Sequence, residues 1–157
     1  MRKTAFLFSA AAQLGGVLGG VGAEDEERLR LYGMNIGLAF QLVDDVLDLT
    51  SDERTLGKPV QSDLKEGKLT LPLIQLIKTG EPGHREMVRN ALETHNSDAS
   101  VRETIARLVG EYGAADYVME KARDYARKAK NCIEGFPAAD ARDALLAISD
   151  HVVERDR

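Results

Sequence analysis

The sequence predicts an all-α domain, and three observations carry that prediction. Apolar residues recur at helical spacing along most of the chain. No segment of useful length alternates apolar and polar residues as a half-buried strand does. Ala, Leu, Glu, Arg and Lys dominate the composition, and these favour helix. With 157 residues, 43% apolar and 30% charged, the chain is long enough for one helical domain with its own core, expected over residues 1–157.

The first helix is expected from Lys3 to about Gly19, because Phe6, Leu7, Ala10, Leu14, Val17 and Leu18 recur on a helical period. Gly15, Gly16, Gly19, Gly20 and Gly22 weaken it beyond Leu14, although glycines also let a neighbouring helix come close. The same opening has a basic start, an apolar run and small residues, so it also fits a secretory signal peptide. GAEDEERLRLYGMNIGLAFQLVDDVLDLTSD reads as one long helix from Ala23 or Glu24, with acidic residues crowding the first turn as the helix dipole favours. SDERTLGKPVQSDLKEGKLT is a loop with Gly57, Pro59 and Gly67 as breakers. LPLIQLIKTG is a short helix ended by Gly80, and EPGH is a turn containing Pro82 and Gly83. Four further amphipathic helices are expected at His84–Glu93, Ser100–Gly110, Ala114–Ile133 and Asp140–Arg155. Ser100 is the expected N-cap of its helix, with Glu103 completing a capping box.

Composition excludes several classes of function. A net charge of −5 argues against general nucleic-acid binding, which needs a basic face. Cys132 is the only cysteine, so no intrachain disulfide forms and a reducing, cytoplasmic setting is the easier fit. No apolar run reaches the length of a membrane span without interruption; Gln13 and the glycines break the best candidate.

The most informative stretch is GLAFQLVDDVLDL. Asp44 and Asp48 are four residues apart and stack on one face, Asp45 lies beside them, and Gln41 sits one turn before Asp44. Grouped carboxylates repel one another and resist burial, so they must face solvent or meet cations. Apolar residues flank them on all sides, which favours the cation. Carboxylates one turn apart suit a hard ion such as Mg²⁺, which prefers oxygen ligands and phosphates. His84, His95 and His151 are scattered, so a zinc site is not favoured. Lys58, Lys65 and Lys68 follow in the glycine-bearing loop, with Asp63 as a further carboxylate. An acidic helix followed by a basic loop is what a metal–diphosphate site needs. The loop holds no GxxxxGK[ST], so it is not a P-loop.

GLAFQLVDDVLDLTSDERTLGKPVQSDLKEGKLTLPLI resembles the second aspartate-rich region of the trans-isoprenyl (polyprenyl) diphosphate synthases, in particular the bacterial medium- and long-chain type. The likeness extends from FQ through DDxLD and GK to the D-L-x-E-G-K-x-T-L-P tail. It also reaches the Lys3-Thr4 pair at the start of the first helix and the helices GAADYVMEKARDYARKA and ALLAISDHVVERDR, and so covers essentially the whole chain. Gln61 departs from the family, which usually has glycine there, so a different turn is expected at that point.

The resemblance implies the C-terminal half of the isoprenoid-synthase helical bundle. Family members are considerably longer and carry a first aspartate-rich motif upstream of the Lys-Thr pair, whereas this chain has one DDxxD. It further implies a magnesium-assisted condensation of an allylic diphosphate with isopentenyl diphosphate, catalysed by a homodimer. By position, Asp44 would be the main metal ligand, with Asp45, Asp48 and Asp63 supporting it. Lys3, Lys58 and Lys68 would bind the diphosphate, and Thr4 and Gln41 would line the reacting end. Lys65 is read as a solvated loop lysine and Phe40 as core. With one of two motifs, the chain by itself is expected to be inactive. Two other readings stand beside this one: a non-catalytic helical subunit that modulates a complete synthase, and a secreted helical domain whose opening is cleaved.

Overall fold

A computed structural model describes residues 2–51, 61–94 and 98–155. Among them are eight helices and no strand: α1 (Arg2–Leu18), α2 (Ala23–Thr50), α3 (Ser62–Lys65), α4 (Leu71–Thr79), α5 (Pro82–Thr94), α6 (Ala99–Glu111), α7 (Ala114–Ile133) and α8 (Asp140–Glu154). The all-α expectation is met. The chain divides into two compact units, one running to Val43 and resuming at Glu120–Arg155, the other comprising Asp44–Met119. α2 and α7 each contribute residues to both.

In the first unit, α1 lies against α2 with almost no side chain between them. A Cβ added at Gly33 would fall 2.3 Å from the Phe8 carbonyl oxygen, and one at Gly37 would fall 2.5 Å from Ala5 Cα. Gly33 and Gly37 are one turn apart on α2 and face Ala5 and Ser9, one turn apart on α1, both buried. Ser9 Oγ donates to the Arg30 carbonyl oxygen at 2.9 Å and fixes the register. The close approach therefore uses Gly33 and Gly37. In the glycine cluster of α1, Gly15 has open space where its Cβ would be and Gly16 packs near Leu29. The helix runs on through both to Leu18.

Tyr32, Ile36, Ala39, Ala129, Ile133 and Val152 form this unit's core, with Phe8 and Phe40 packed against it. Tyr32 donates its hydroxyl to the Leu145 carbonyl oxygen at 2.8 Å, and burial pushes its pKa up. The outer face of α1 is apolar and exposed, with Leu7 70% and Leu18 88% accessible.

The second unit packs α3 to α6 and the ends of α2 and α7 around Leu49, Leu64, Leu73, Leu76, Val88, Ile105, Leu108, Val109 and Ala114. Three local expectations need correction. EPGH is not a free turn: α5 begins at Pro82, where a missing N–H costs nothing at the first helical position. The N-cap of α6 is Asp98, and it makes no side-chain capping bond. Ser100 lies inside the first turn, where its carbonyl oxygen accepts from Thr104 Oγ1 at 2.8 Å, so the capping box with Glu103 does not form. The long loop also ends in a helical turn, α3.

Candidate functional site

The apolar residues around the aspartates explain their placement. Leu42, Val43, Val46 and Leu49 are buried along the last turns of α2, and Asp45 and Asp48 share that burial, at 2% and 4% exposed. Asp44 is half-buried. A carboxylate so enclosed must be compensated by hydrogen bonds or charge.

For Asp48 the compensation comes from the returning loop. Its Oδ1 accepts from Ser62 Oγ at 2.6 Å and from the Ser62 backbone N–H at 3.2 Å, and its Oδ2 accepts from the Asp63 N–H at 3.1 Å. Its backbone carbonyl oxygen accepts from the Gln61 N–H at 2.7 Å. The loop thus re-enters the fold pinned to the last turns of α2. Gln61 reaches this position with φ 57°, the one non-glycine residue at positive φ among those described. Gln61 thus holds a left-handed turn here, at the strain such a turn imposes on a side chain.

α3 and the residues that close it position two charged side chains. Leu64 anchors it in the core at 0% exposed. Gly67, at φ 67°, ends it: the Gly67 N–H bonds the Leu64 carbonyl at 3.1 Å and the Lys68 N–H bonds the Asp63 carbonyl at 2.8 Å. This is the two-bond glycine cap of a helix C-terminus, and it folds Lys68 back over Asp63. Lys68 Nζ donates to Asp63 Oδ1 at 2.7 Å and lies 4.0 Å from Asp45 Oδ1. Partial burial would lower the Lys68 pKa, but the Asp63 hydrogen bond and the charges of Asp63, Asp45 and Asp48 outweigh it and hold the pKa above the ordinary lysine range.

The second unit therefore brings together Asp44, Asp45, Asp48, Asp63 and Lys68. Gln41, half-buried, lies one turn before Asp44 on the same helix. Lys3 is exposed and Thr4 half-buried at the start of α1, in the first unit. Lys58 lies outside the described residues. Lys65 is exposed, as read, and Phe40 packs against the core, with the Arg155 guanidinium 3.9 Å from its ring centre. Ser62 escaped the sequence reading. Its signal was a short hydroxyl side chain just before a carboxylate, in a loop that must close on an acidic helix.

The donor set consists of carboxylate oxygens with a lysine beside them. Among the described residues no three His, Cys, Asp or Glu side chains converge as a ready-made metal cage. Carboxylate oxygens suit a hard divalent cation, which takes its other ligands from water and phosphate, rather than structural zinc, which needs a closed set of nitrogen or sulfur ligands. No helix among the described residues is long and apolar enough to cross a membrane.

The polyprenyl synthetase family model matches residues 1–109. Octaprenyl diphosphate synthase of Escherichia coli strain K12 is 39% identical over 155 residues, covering 99% of this chain and 48% of that protein. A short chain isoprenyl diphosphate synthase of Methanothermobacter thermautotrophicus is 41% identical over 155 residues, covering 99% and 47%. The crystal structure of polyprenyl synthase from Caulobacter crescentus CB15, complexed with calcium and isoprenyl diphosphate, superposes with a TM-score of 0.94 at 41% identity, covering 99% of this chain and 47% of that one. The chain spans about half the length of the curated relatives it matches. By the family match, and by these likenesses in sequence and fold, the chain belongs to the polyprenyl synthetase family.

Proposed function

We propose that the chain forms the second aspartate-rich half of an all-trans polyprenyl diphosphate synthase, which joins isopentenyl diphosphate to an allylic diphosphate. The single observation that carries this is the Lys68 ammonium held between Asp63 and Asp45 by a loop pinned to the aspartate-bearing turns of α2. Asp44 and Asp45 would hold magnesium, with Asp63 on the adjoining loop. Bound magnesium supplies positive charge that stabilises the departing diphosphate. The protein's own part is to place cations where the negative charge develops, in surroundings apolar enough to make them count. Lys68, with Lys3 and Lys58, would hold the allylic diphosphate, and Thr4 and Gln41 would line the reacting end. The allylic carbon–oxygen bond breaks with its electron pair leaving on diphosphate. The isopentenyl double bond then attacks the allylic carbon, and a proton is lost.

The 157-residue polypeptide is expected to bind metal and diphosphate without elongating a prenyl chain, because it carries one aspartate-rich motif. The apolar face of α1 would be covered in the complete synthase, which we propose to be a homodimer acting in the cytoplasm. The test is binding of a non-ionisable allylic thiodiphosphate, followed by calorimetry with and without magnesium. Magnesium-dependent binding is expected. Equal binding of the corresponding prenyl alcohol, with or without the metal, would refute the reading.

A further inference from the structure

The three aspartates of α2 do not share one environment. We infer that Asp48 is a positioning residue rather than a metal ligand, and that it acts with Ser62 to hold Asp63 and Lys68 in the site. This rests on the metal–diphosphate reading above and divides the labour within it.

An ionised carboxylate offers about four acceptor positions. Asp48 Oδ1 receives two donors, the hydroxyl and the N–H of Ser62, and Oδ2 receives the N–H of Asp63. Oδ1 is thus fully used, and Oδ2 keeps one lone pair. Burial does not separate Asp48, at 4% exposed, from Asp45, at 2%; the hydrogen bonds to the loop do. Asp45 has the contrasting placement, 4.0 Å from the Lys68 ammonium.

The bonds made by Asp48 have a consequence downstream. Ser62 and Asp63 open the turn of α3, and Gly67 closes it by returning Lys68 onto Asp63. Pinning the first two residues of α3 therefore sets where the Asp63 carboxylate and the Lys68 ammonium come to rest. Without the pin, two backbone N–H groups and a hydroxyl lose their acceptor, and the loop is released at the point where it meets α2. The identity of Ser62 matters for the same reason: its hydroxyl makes the shortest of the three bonds, at 2.6 Å.

An asparagine keeps one acceptor oxygen, so it can hold either the Ser62 donors or the Asp63 N–H but not both, whereas alanine holds neither. That separates positioning from ligation. The 157-residue chain is prepared as wild type, Asp44→Asn, Asp48→Asn, Asp48→Ala and Ser62→Ala. Magnesium affinity is measured by calorimetry in the presence of inorganic diphosphate, and amide hydrogen exchange is followed at Ser62 and Asp63.

Asp44→Asn is expected to weaken magnesium binding by about tenfold or more with exchange at Asp63 unchanged. Asp48→Ala should speed exchange at both amides and weaken binding by about tenfold, as loss of an outer-shell partner does. Asp48→Asn should keep one of the two amides protected and lose less binding than Asp48→Ala, and Ser62→Ala, which leaves both N–H bonds in place, should lose the least. The inference is overturned if Asp48→Asn weakens binding as much as Asp44→Asn while both amides stay protected. It is also overturned if Asp48→Ala leaves exchange unchanged. If Asp44→Asn binds as well as wild type, the metal–diphosphate reading fails instead, and the exchange rates still decide whether Asp48 pins the loop.

Discussion

Two stretches of α2 meet their neighbours by opposite means. Around its middle, Gly33 and Gly37 present bare backbone, and α1 comes so close that any Cβ would collide with it. Near its end, Asp45 and Asp48 present charge, and the facing loop supplies hydroxyl, N–H and ammonium groups to meet it. Removing side chains gives close contact without chemistry, because dispersion and packing do the holding. Inserting carboxylates gives a contact that is stable only while its partners stay in place, and which leaves charge for a ligand. The glycine stretch of α2 serves architecture; the aspartate end is where function is to be sought.

The largest effect is expected at the glycine stretch. Gly33→Ala should lower stability by about 3 kcal/mol in urea unfolding, because the obstacle is the Phe8 carbonyl rather than a movable side chain. Gly15→Ala, in open space on the same kind of helix, should instead raise stability by up to about 1 kcal/mol. Equal effects at the two positions would break the comparison. At the aspartate end, Asp48→Ala should cost about 2 kcal/mol, since it leaves the donors of Ser62 and Asp63 without their charged acceptor.

Gln61→Gly should gain about 1 kcal/mol, read as a rise in melting temperature, because it relieves the left-handed strain at φ 57°. A fall would mean that the Gln61 side chain contributes more than its backbone costs. The smallest effect belongs to Lys68→Met, under about 1 kcal/mol at neutral pH, since the lysine is 45% exposed. Its folded pKa is raised, so its stabilisation is present in full below about pH 10 and fades as the pH rises through the raised value. Wild type and Lys68→Met should therefore converge in stability at high pH.

The helices were legible because their apolar spacing is long and regular, and the long helix bearing the aspartates was placed within a residue or two at its start. The candidate site stood out for a different reason: Asp44, Asp45 and Asp48 conflict with their apolar surroundings, and such conflicts are where function is first sought. What stayed hidden depends on tertiary contact. Nothing local distinguishes Gly33 and Gly37, which touch α1, from Gly15, which touches nothing. Gly67 reads as a breaker in sequence, while its function is the cap that turns Lys68 back onto Asp63. Ser100 has the letters of an N-cap, but the helix begins one residue earlier. The distinct tasks of the aspartates emerge only when the loop is seen to close on one of them.

The central claim is that the aspartate end of α2 and its pinned loop form a metal–diphosphate site. Its most direct test is a calorimetric titration of magnesium into the 157-residue chain, with and without inorganic diphosphate, for wild type and Asp44→Ala. The account predicts that diphosphate tightens magnesium binding in the wild type, and that this tightening is lost in Asp44→Ala. Equal binding by the two proteins, unaffected by diphosphate, would contradict it.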